Sequence, residues 1–435
     1  MAIGYQSLWF NGTGSDNTAI GTLALATNSS GINNAATGES ALGANTIGGG
    51  NTAIGMRALS SNAAGSNATA IGYDAMRYAN DQAGAFTNYN VAVGYEALRG
   101  STTASANTGN WNTSCGYQAL RSNTSGGFNT ATGYQALYMN ADGVENTAHG
   151  YLAMYSNTSG AENTAFGWRA LYSNGTGNFN TADGFNTLQA NTSGVDNTAI
   201  GYGALTFNNI GTRNTAVGRN ALGSITTESY NTAVGYYANL GGSTSNSTAL
   251  GANSVMSASN KVRLGDATVT VIEGQVAYTF PSDGRFKNNV TEEVKGIAFI
   301  NKLRPVIYNF DTRKFDSFLM KTMPDSLRED IMRRKDYTES TSIRQSGFIA
   351  QEVELAAQES GYVFNGVHKP TSENDNYSVA YALFVVPLVK AMQEQQQMIE
   401  SMHSVANDQQ KEISELKAIV EKLVRKDKAE SEKNK

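Results

Sequence analysis

Short apolar stretches alternate with polar turn residues along the first 260 residues, and they return at a fixed spacing. Alignment on the glycine of Asn-Thr-Ala-Ile-Gly gives steps of 17 residues, apart from two of 22 and a final one of 16. Alanine lies two before the glycine in 14 of 15 units, and Leu or Met four after it in 13, so the spacing is a structural repeat. The marks are Gly4, Gly21, Gly38, Gly55, Gly72, Gly94, Gly116, Gly133, Gly150, Gly167, Gly184, Gly201, Gly218, Gly235 and Gly251.

A unit of 17 residues is too short for the helix pair on which helical repeats are built. Each unit instead combines short alternating apolar stretches with an Asn/Ser/Gly-rich turn, a pattern typical of strands and tight turns. The sequence therefore predicts a mainly β protein with a parallel β-solenoid over residues 1–258, one coil per unit. At about 4.8 Å per layer, the stacked coils would form a rod on the order of 70 Å long.

Positions within the coil have separate expected roles. The glycine allows a positive φ or a close approach of backbones, and the leucine is expected to fill the interior. Asparagine lies four residues before the glycine in 12 units, and stacked coils would join these side chains in an amide ladder. The two steps of 22, between Gly72 and Gly116, are expected to bulge out as surface loops.

Aromatic side chains follow the glycine in eight consecutive units and are expected to stack along the rod. Aromatic faces suit sugars, so a glycan-binding stripe is one interpretation, and packing against a neighbouring chain or simple stacking is the more ordinary one. Cys115, His149 and Asp183 precede the glycine in units two coils apart, about 10 Å, so we expect no metal or nucleophile site there. The stacked positions are Tyr73, Tyr95, Tyr117, Tyr134, Tyr151, Trp168, Phe185 and Tyr202.

The repeat resembles the head repeats of trimeric autotransporter adhesins, in which an Ala-Ile-Gly-type motif builds a β-roll. The resemblance implies that three chains pack together. The unit here is longer than those heads usually have, so we expect a different coil cross-section.

A second pattern covers the C-terminal end, where apolar positions alternate in steps of three and four. Such a heptad seam predicts a left-handed coiled coil over residues 385–425, with a lone amphipathic helix as the alternative and a charged tail over 426–435. Polar seam positions set register and strand number. The seam consists of Val385, Leu388, Met392, Gln395, Ile399, Met402, Ala406, Gln409, Ile413, Leu416, Val420 and Leu423.

Between these patterns the repeat is lost. Three clusters, Lys261–Leu264, Ala267–Ile272 and Gln275–Phe280, predict short strands of a neck over residues 259–281. Further on, the stretch from Asp311 to Arg344 predicts a charged helix at Ser326–Lys335 that decorates the surface.

An ordered set of motifs follows the neck. It resembles the intramolecular chaperone auto-processing domain at the ends of phage tail spikes, tail fibres and endosialidases. The resemblance implies a small α+β domain over residues 282–384, a homotrimer, and a single self-cleavage at Ser282 that releases the module. The motifs are Ser-Asp-x-Arg-x-Lys (Ser282, Asp283, Arg285, Lys287), Leu303–Tyr308, Gly347–Val353, Tyr377–Tyr381 and Val386–Leu388.

The chemistry implied at Ser282 needs a base. A serine hydroxyl attacks a peptide carbonyl only when a base takes its proton, and Ser-Lys pairs can do this. Lys287 would be that base in its neutral form, which requires desolvation or nearby cations. Arg285 could supply the cationic field, and Asp283 could fix the turn. The spacing of Ser282 and Lys287 alone indicates only a surface turn, so the resemblance carries this hypothesis.

Composition narrows the function classes. Residues 1–260 hold seven Arg, no Lys and eleven acids, so the basic footprint of a nucleic-acid binder is missing. Cys115 is the only cysteine, which excludes a disulfide framework or cysteine-ligated zinc within one chain. The longest apolar run, Tyr381–Val389, is too short to span a bilayer. We expect no cofactor and no metal.

These observations predict a homotrimeric surface or tail fibre, extracellular, on a cell surface or on a virion tail. Two alternatives stay open. One is a static adhesin, binding a glycan or receptor, whose trimerisation domain stays uncleaved. The other is a fibre-borne polysaccharide-degrading enzyme, which would need convergent carboxylates that the repeat does not show. Because repeat sequence begins directly after Met1, we expect the chain to be a fragment.

Overall fold

Nearly every coil contributes one short strand to a single parallel sheet in the computed structural model, which describes residues 1–276 and 278–433. The predicted β-solenoid is confirmed. Sixteen of the described strands pair in chain order, while Gly65–Ser66 pairs with Phe86–Thr87 and Asn239–Leu240 with Val255–Met256. The strands are β1 (Ala2–Ile3), β2 (Thr18–Ile20), β3 (Ala35–Thr37), β4 (Thr52–Ile54), β5 (Gly65–Ser66), β6 (Thr69–Ile71), β7 (Phe86–Thr87), β8 (Val91–Val93), β9 (Thr113–Cys115), β10 (Thr130–Thr132), β11 (Thr147–His149), β12 (Thr164–Phe166), β13 (Thr181–Asp183), β14 (Thr198–Ile200), β15 (Thr215–Val217), β16 (Thr232–Val234), β17 (Asn239–Leu240), β18 (Thr248–Leu250), β19 (Val255–Met256) and β20 (Val262–Leu264).

The core of the solenoid, hereafter the rod, is narrow and repeats with the sequence. In one coil Ala148, Ala153 and Met154 are all fully buried, and equivalent residues are buried along the rod. Two alanines keep the opposite walls close, and one large side chain fills the remaining space. Burial of a leucine or methionine side chain contributes about 1.5–3 kcal/mol, so each coil depends strongly on its single large residue.

The predicted asparagine ladder is confirmed. Nδ2 of Asn163 donates to Oδ1 of Asn146 at 3.1 Å, and the backbone N–H of Asn163 donates to the same oxygen at 3.0 Å. A second buried ladder was not predicted: Nδ2 of Asn157 donates to Oδ1 of Asn140 at 2.7 Å. Its signal was present in the sequence, because asparagine recurs seven residues after the repeat glycine. Both ladders satisfy buried amides along the axis.

The repeat glycines have both a positive φ and a close approach to the backbone of the next coil. Gly150 has φ +140°, and a Cβ there would overlap the carbonyl oxygen of Gly167 in the next coil. A side chain at this position would therefore both strain the backbone and separate two coils.

We expect Gly150→Ala to destabilise the adjoining coils by about 1–3 kcal/mol from backbone strain alone, with the overlap adding to this. Hydrogen exchange of the coils on either side, with and without urea, measures the loss. Gly84→Ala is the matched control, because nothing lies within 4 Å of a Cβ at that exposed loop position. Equal protection in both variants would contradict this account of the repeat glycine.

The rod extends one coil further than predicted, and of the three predicted neck strands only the first is confirmed as a strand, although it belongs to the rod. Val262–Leu264 is a rung of the rod, with Val262 opposite Thr248 in a coil of 14 residues. Ala267–Ile272 forms no strand, nor do the described residues of Gln275–Phe280; residue 277 lies outside the described residues. The reason is that no later coil returns these apolar residues to the sheet edge, so they have no strand to pair with.

The remaining elements alternate short strands and helices. They are α1 (Ile297–Ile300), β21 (Val306–Asn309), α2 (Thr312–Leu319), α3 (Asp325–Arg333), α4 (Thr338–Ser342), β22 (Arg344–Gly347), α5 (Ala350–Glu359), β23 (Val367–His368), β24 (Ser378–Val379) and α6 (Val385–Lys433). The described part of the chain contains no helix with the length and apolar character needed to cross a membrane.

The chain divides into two units that do not follow the order of the sequence. The first contains Met1–Thr270 and Asp311–Ser340, and the second contains Val271–Phe310 and Thr341–Lys435. The helix predicted at Ser326–Lys335 is confirmed as α3. Its expected role as mere surface decoration is wrong, because residues 311–340, hereafter the insertion, pack against the last coils of the rod.

In the second unit, β21 and β22 form an antiparallel pair, and Phe299, Val353 and Phe384 lie in a small apolar core. The first turns of α6 pack against α1, and the N–H of Ile297 donates to Glu394 at 2.8 Å. From Gln395 to Ser431 every side chain of α6 is exposed. The predicted C-terminal helix is confirmed, while the coiled coil that its apolar seam indicates stays a prediction. Residues 434 and 435 of the expected charged tail lie outside the described residues.

Candidate active site

Ser282 and Lys287 lie in an exposed segment whose backbone turns back on itself. Residues 271–276 and 278–290 are all exposed. A short 3-10 turn covers Gly284–Phe286, and the Asp283 carboxylate accepts a hydrogen bond from the N–H of Arg285 at 2.9 Å. Such a local carboxylate–backbone bond stabilises tight turns. The N–H of Lys287 then donates to the carbonyl of Gly284 at 3.2 Å, which closes the turn.

The turn brings the two candidate catalytic residues together. Nζ of Lys287 donates to Oγ of Ser282 at 2.7 Å, a distance typical of a nucleophile and its base. For attack on a peptide carbonyl the direction of this bond must reverse, so that a neutral amine accepts the hydroxyl proton. The spacing of five residues gave no indication of this contact, because it depends on the 3-10 turn between them.

The two supporting residues are bound to each other. The Arg285 guanidinium lies 2.6 Å from the Asp283 carboxylate, and its hydrogen bond lowers the pKa of Asp283 while the carboxylate raises the pKa of Arg285. Asp283 therefore has the position expected of a residue that fixes the turn. The positive charge of Arg285 is largely offset by this partner, so its field at Lys287 is weaker than the sequence suggested.

The other motifs of this region pair as strands or pack in the small apolar core of the second unit. Val306 pairs with Gly347 across the two antiparallel strands, and the N–H of Phe348 donates to the Tyr381 hydroxyl at 2.9 Å. The segments Leu303–Tyr308, Gly347–Val353 and Tyr377–Tyr381 thereby meet in the small core that follows Ser282 in the chain.

The predicted aromatic ladder on the rod is confirmed. Consecutive rings from Tyr73 to Tyr202 stack with centroids 4.5–5.8 Å apart and planes within 13° of parallel. A shorter ladder, not predicted, joins Tyr138, Tyr155 and Tyr172 at 5.0 and 5.4 Å; its signal is an aromatic residue five positions after the repeat glycine. Within both ladders the rings cover one another's faces, so mainly ring edges are exposed to solvent.

Cys115, His149 and Asp183 do not converge. They lie on β9, β11 and β13 at equivalent positions, two rungs apart, and all three are exposed. Among the described residues, no group of three or more His, Cys, Asp or Glu side chains is arranged to hold a metal ion.

Comparison with known proteins bears on the C-terminal third of the chain. Residues 282–362 match a family model described as the chaperone of endosialidase. The match begins at Ser282 itself and includes the turn, the paired strands β21 and β22, the insertion and α5. No curated protein matches the chain. The chain thus has a β-solenoid of 17-residue coils, followed in the sequence by a segment that matches the chaperone-of-endosialidase family.

Proposed function

We propose that the chain forms a homotrimeric fibre whose C-terminal domain aligns three chains, directs folding of the rod, and is then cut from it by self-cleavage at Ser282. The contact of 2.7 Å between Lys287 Nζ and Ser282 Oγ is the observation that carries the cleavage. It occurs at the first residues of the segment that matches the chaperone family.

The exposed seam of α6 supports the trimer. From Gln395 to Ser431 its apolar side chains are all exposed in the single chain, and Leu416 is 60% exposed. Seams of this kind are normally buried in a coiled coil.

A parallel solenoid has the further difficulty that its coils resemble one another, so three chains can align out of register by one coil. A coiled coil that forms first would fix the register from the C-terminal end.

The exposure of the pair supports an order of events. A neutral lysine needs a desolvated environment, but Ser282 and Lys287 are both exposed in the single chain. We therefore propose that the assembled trimer covers the pair and that cleavage follows assembly. Ser282 then acts once, on a peptide bond beside it in its own backbone, with Lys287 as the base and without a cofactor.

As a fibre, the protein would act outside the cell, on a cell surface or on a virion tail, with an adhesive role for the rod. A glycan or a protein receptor would be its ligand. The stacked aromatic ladder favours contact through ring edges, so we do not assign a sugar-stacking site to it.

Mass spectrometry of the expressed full chain tests the proposal. We expect denatured protein to give two fragments separated beside Ser282, and native spectra to show three copies of the rod. Full-length chain in a folded trimer would contradict self-cleavage and favour the uncleaved trimerisation domain of a static adhesin. Monomers at micromolar concentration would contradict the trimer.

A further inference from the structure

The insertion contacts the rod through a continuous apolar surface. Tyr237 and Val255 of the last coils pack against Leu319, Met320 and Met323, and all five side chains are at most 7% exposed. Ile331 of α3 completes this cluster. Contact between the insertion and the last coils therefore removes apolar side chains of both from solvent.

A buried group of charges lies beside the apolar surface. Nζ of Lys335 lies 2.9 Å from Asp266 of the rod and 2.6 Å from Asp316 of α2. The Tyr337 hydroxyl also donates to Asp316, at 2.9 Å. Burial alone would raise the pKa of Asp266, but hydrogen bonds from Thr268 and Lys335 lower that pKa below its usual value. Buried charges are tolerated only when paired, so this group fixes one position of the insertion on the rod.

The backbone of the rod is shaped to receive the insertion. A Cβ at Gly241 would overlap the carbonyl oxygen of Leu319, and the hydroxyl of Thr322 donates to the carbonyl of Gly241. Gly241 has no positive φ, so close approach, rather than its own backbone conformation, is what requires glycine here.

The insertion follows Ser282 in the chain and emerges from the ends of the paired strands β21 and β22. A cut beside Ser282 would therefore leave the insertion on the C-terminal fragment. We infer that the last coils of the rod are a binding site for residues 311–340, and that this site keeps the C-terminal fragment attached non-covalently after the chain is cut. The biological role of this attachment rests on the proposed self-cleavage, but the binding itself does not.

The test cuts the chain independently of Ser282. In the full chain with Ser282→Ala, a site-specific protease sequence is placed between Gly274 and Gln275, within the exposed linker. After digestion, native size-exclusion chromatography should show both fragments eluting together, and denaturant should separate them. Lys335→Ala leaves two buried carboxylates without their cation, so we expect about 100- to 1,000-fold weaker attachment.

Two further variants make the result specific. Gly241→Ala alters only the surface of the rod and should also release the fragment. Arg333→Ala should leave the fragment attached, because the Arg333 side chain is 80% exposed and pairs with Asp330 of its own helix. Separation of the unmodified fragments on digestion would overturn the inference. Attachment that survives in both Lys335→Ala and Gly241→Ala would also overturn the inference. Attachment that resists denaturant would overturn it too, since a covalent link would then hold the fragment. Absence of self-cleavage in the wild type would not affect these outcomes.

Discussion

Deletion of residues 282–435 before folding is expected to leave most of the rod aggregated or misassembled. Non-local β pairing is slow and exposes strand edges during folding, and the deletion removes the domain that we propose aligns three chains. The deletion also removes the insertion, which would expose Tyr237 and Val255 on the last coils. Soluble fraction and size-exclusion profile, compared with the full chain, measure the effect.

A narrower variant separates alignment from loss of the whole domain. Ile413→Lys together with Leu416→Lys places charges on the seam of α6 and should reproduce the misassembly. Glu415→Ala, at an exposed position outside the seam, is the control and should assemble normally. Soluble, in-register trimer at normal yield from the truncated chain would remove the chaperone role.

Substitution of either member of the candidate pair should stop processing. Ser282→Ala removes the attacking hydroxyl, and Lys287→Ala removes the base; we expect each to slow cleavage by at least about three orders of magnitude. Lys287→Arg should fail as well, because a guanidinium stays protonated at any working pH. For the same reason wild-type cleavage should slow as the pH falls, since a protonated amine accepts no proton. Time courses of intact mass measure each rate.

Trimer formation should be unchanged in all three variants, because the seam of α6 is remote in sequence. Lys295→Ala is a matched control, as it removes another exposed lysine of the same region. Equal processing in Lys287→Arg and the wild type would exclude lysine as the base. Wild-type rates in all three variants would mean that the turn at Ser282 is only a surface turn.

The rod could be predicted because its determinants are local and repeated. The glycine has the same role in all fifteen units, and alanine and Leu or Met recur in 14 and 13 of them, so many copies of a weak signal identify the fold. The final rung could not be recognised, since Val262 lies opposite Thr248 through a coil of different length. The docking of the insertion depends on a contact between distant parts of the chain, and no local pattern in Leu319 or Met320 specifies Tyr237 as the partner.

The candidate site was only partly accessible to sequence reasoning. Resemblance to a family selected Ser282 and Lys287, and the 3-10 turn then explains how they meet. The spacing of Asp283 and Arg285 does not predict their ion pair, because the pair depends on the local 3-10 turn. Lys287 is exposed in the single chain, and the desolvation that we propose for it would come from assembly, which no local sequence pattern encodes.

The contacts between neighbouring coils allow the length of the rod to change by whole coils. Most coils meet their neighbours through the same alanine, glycine and asparagine positions, so gain or loss of a whole 17-residue unit in the gene would change the length by about 4.8 Å and keep these contacts between neighbouring coils. The insertion contacts only the terminal coils, and the coils before them are therefore free to vary in number. Natural selection could thus change the length of the rod without changing the coils that contact the insertion.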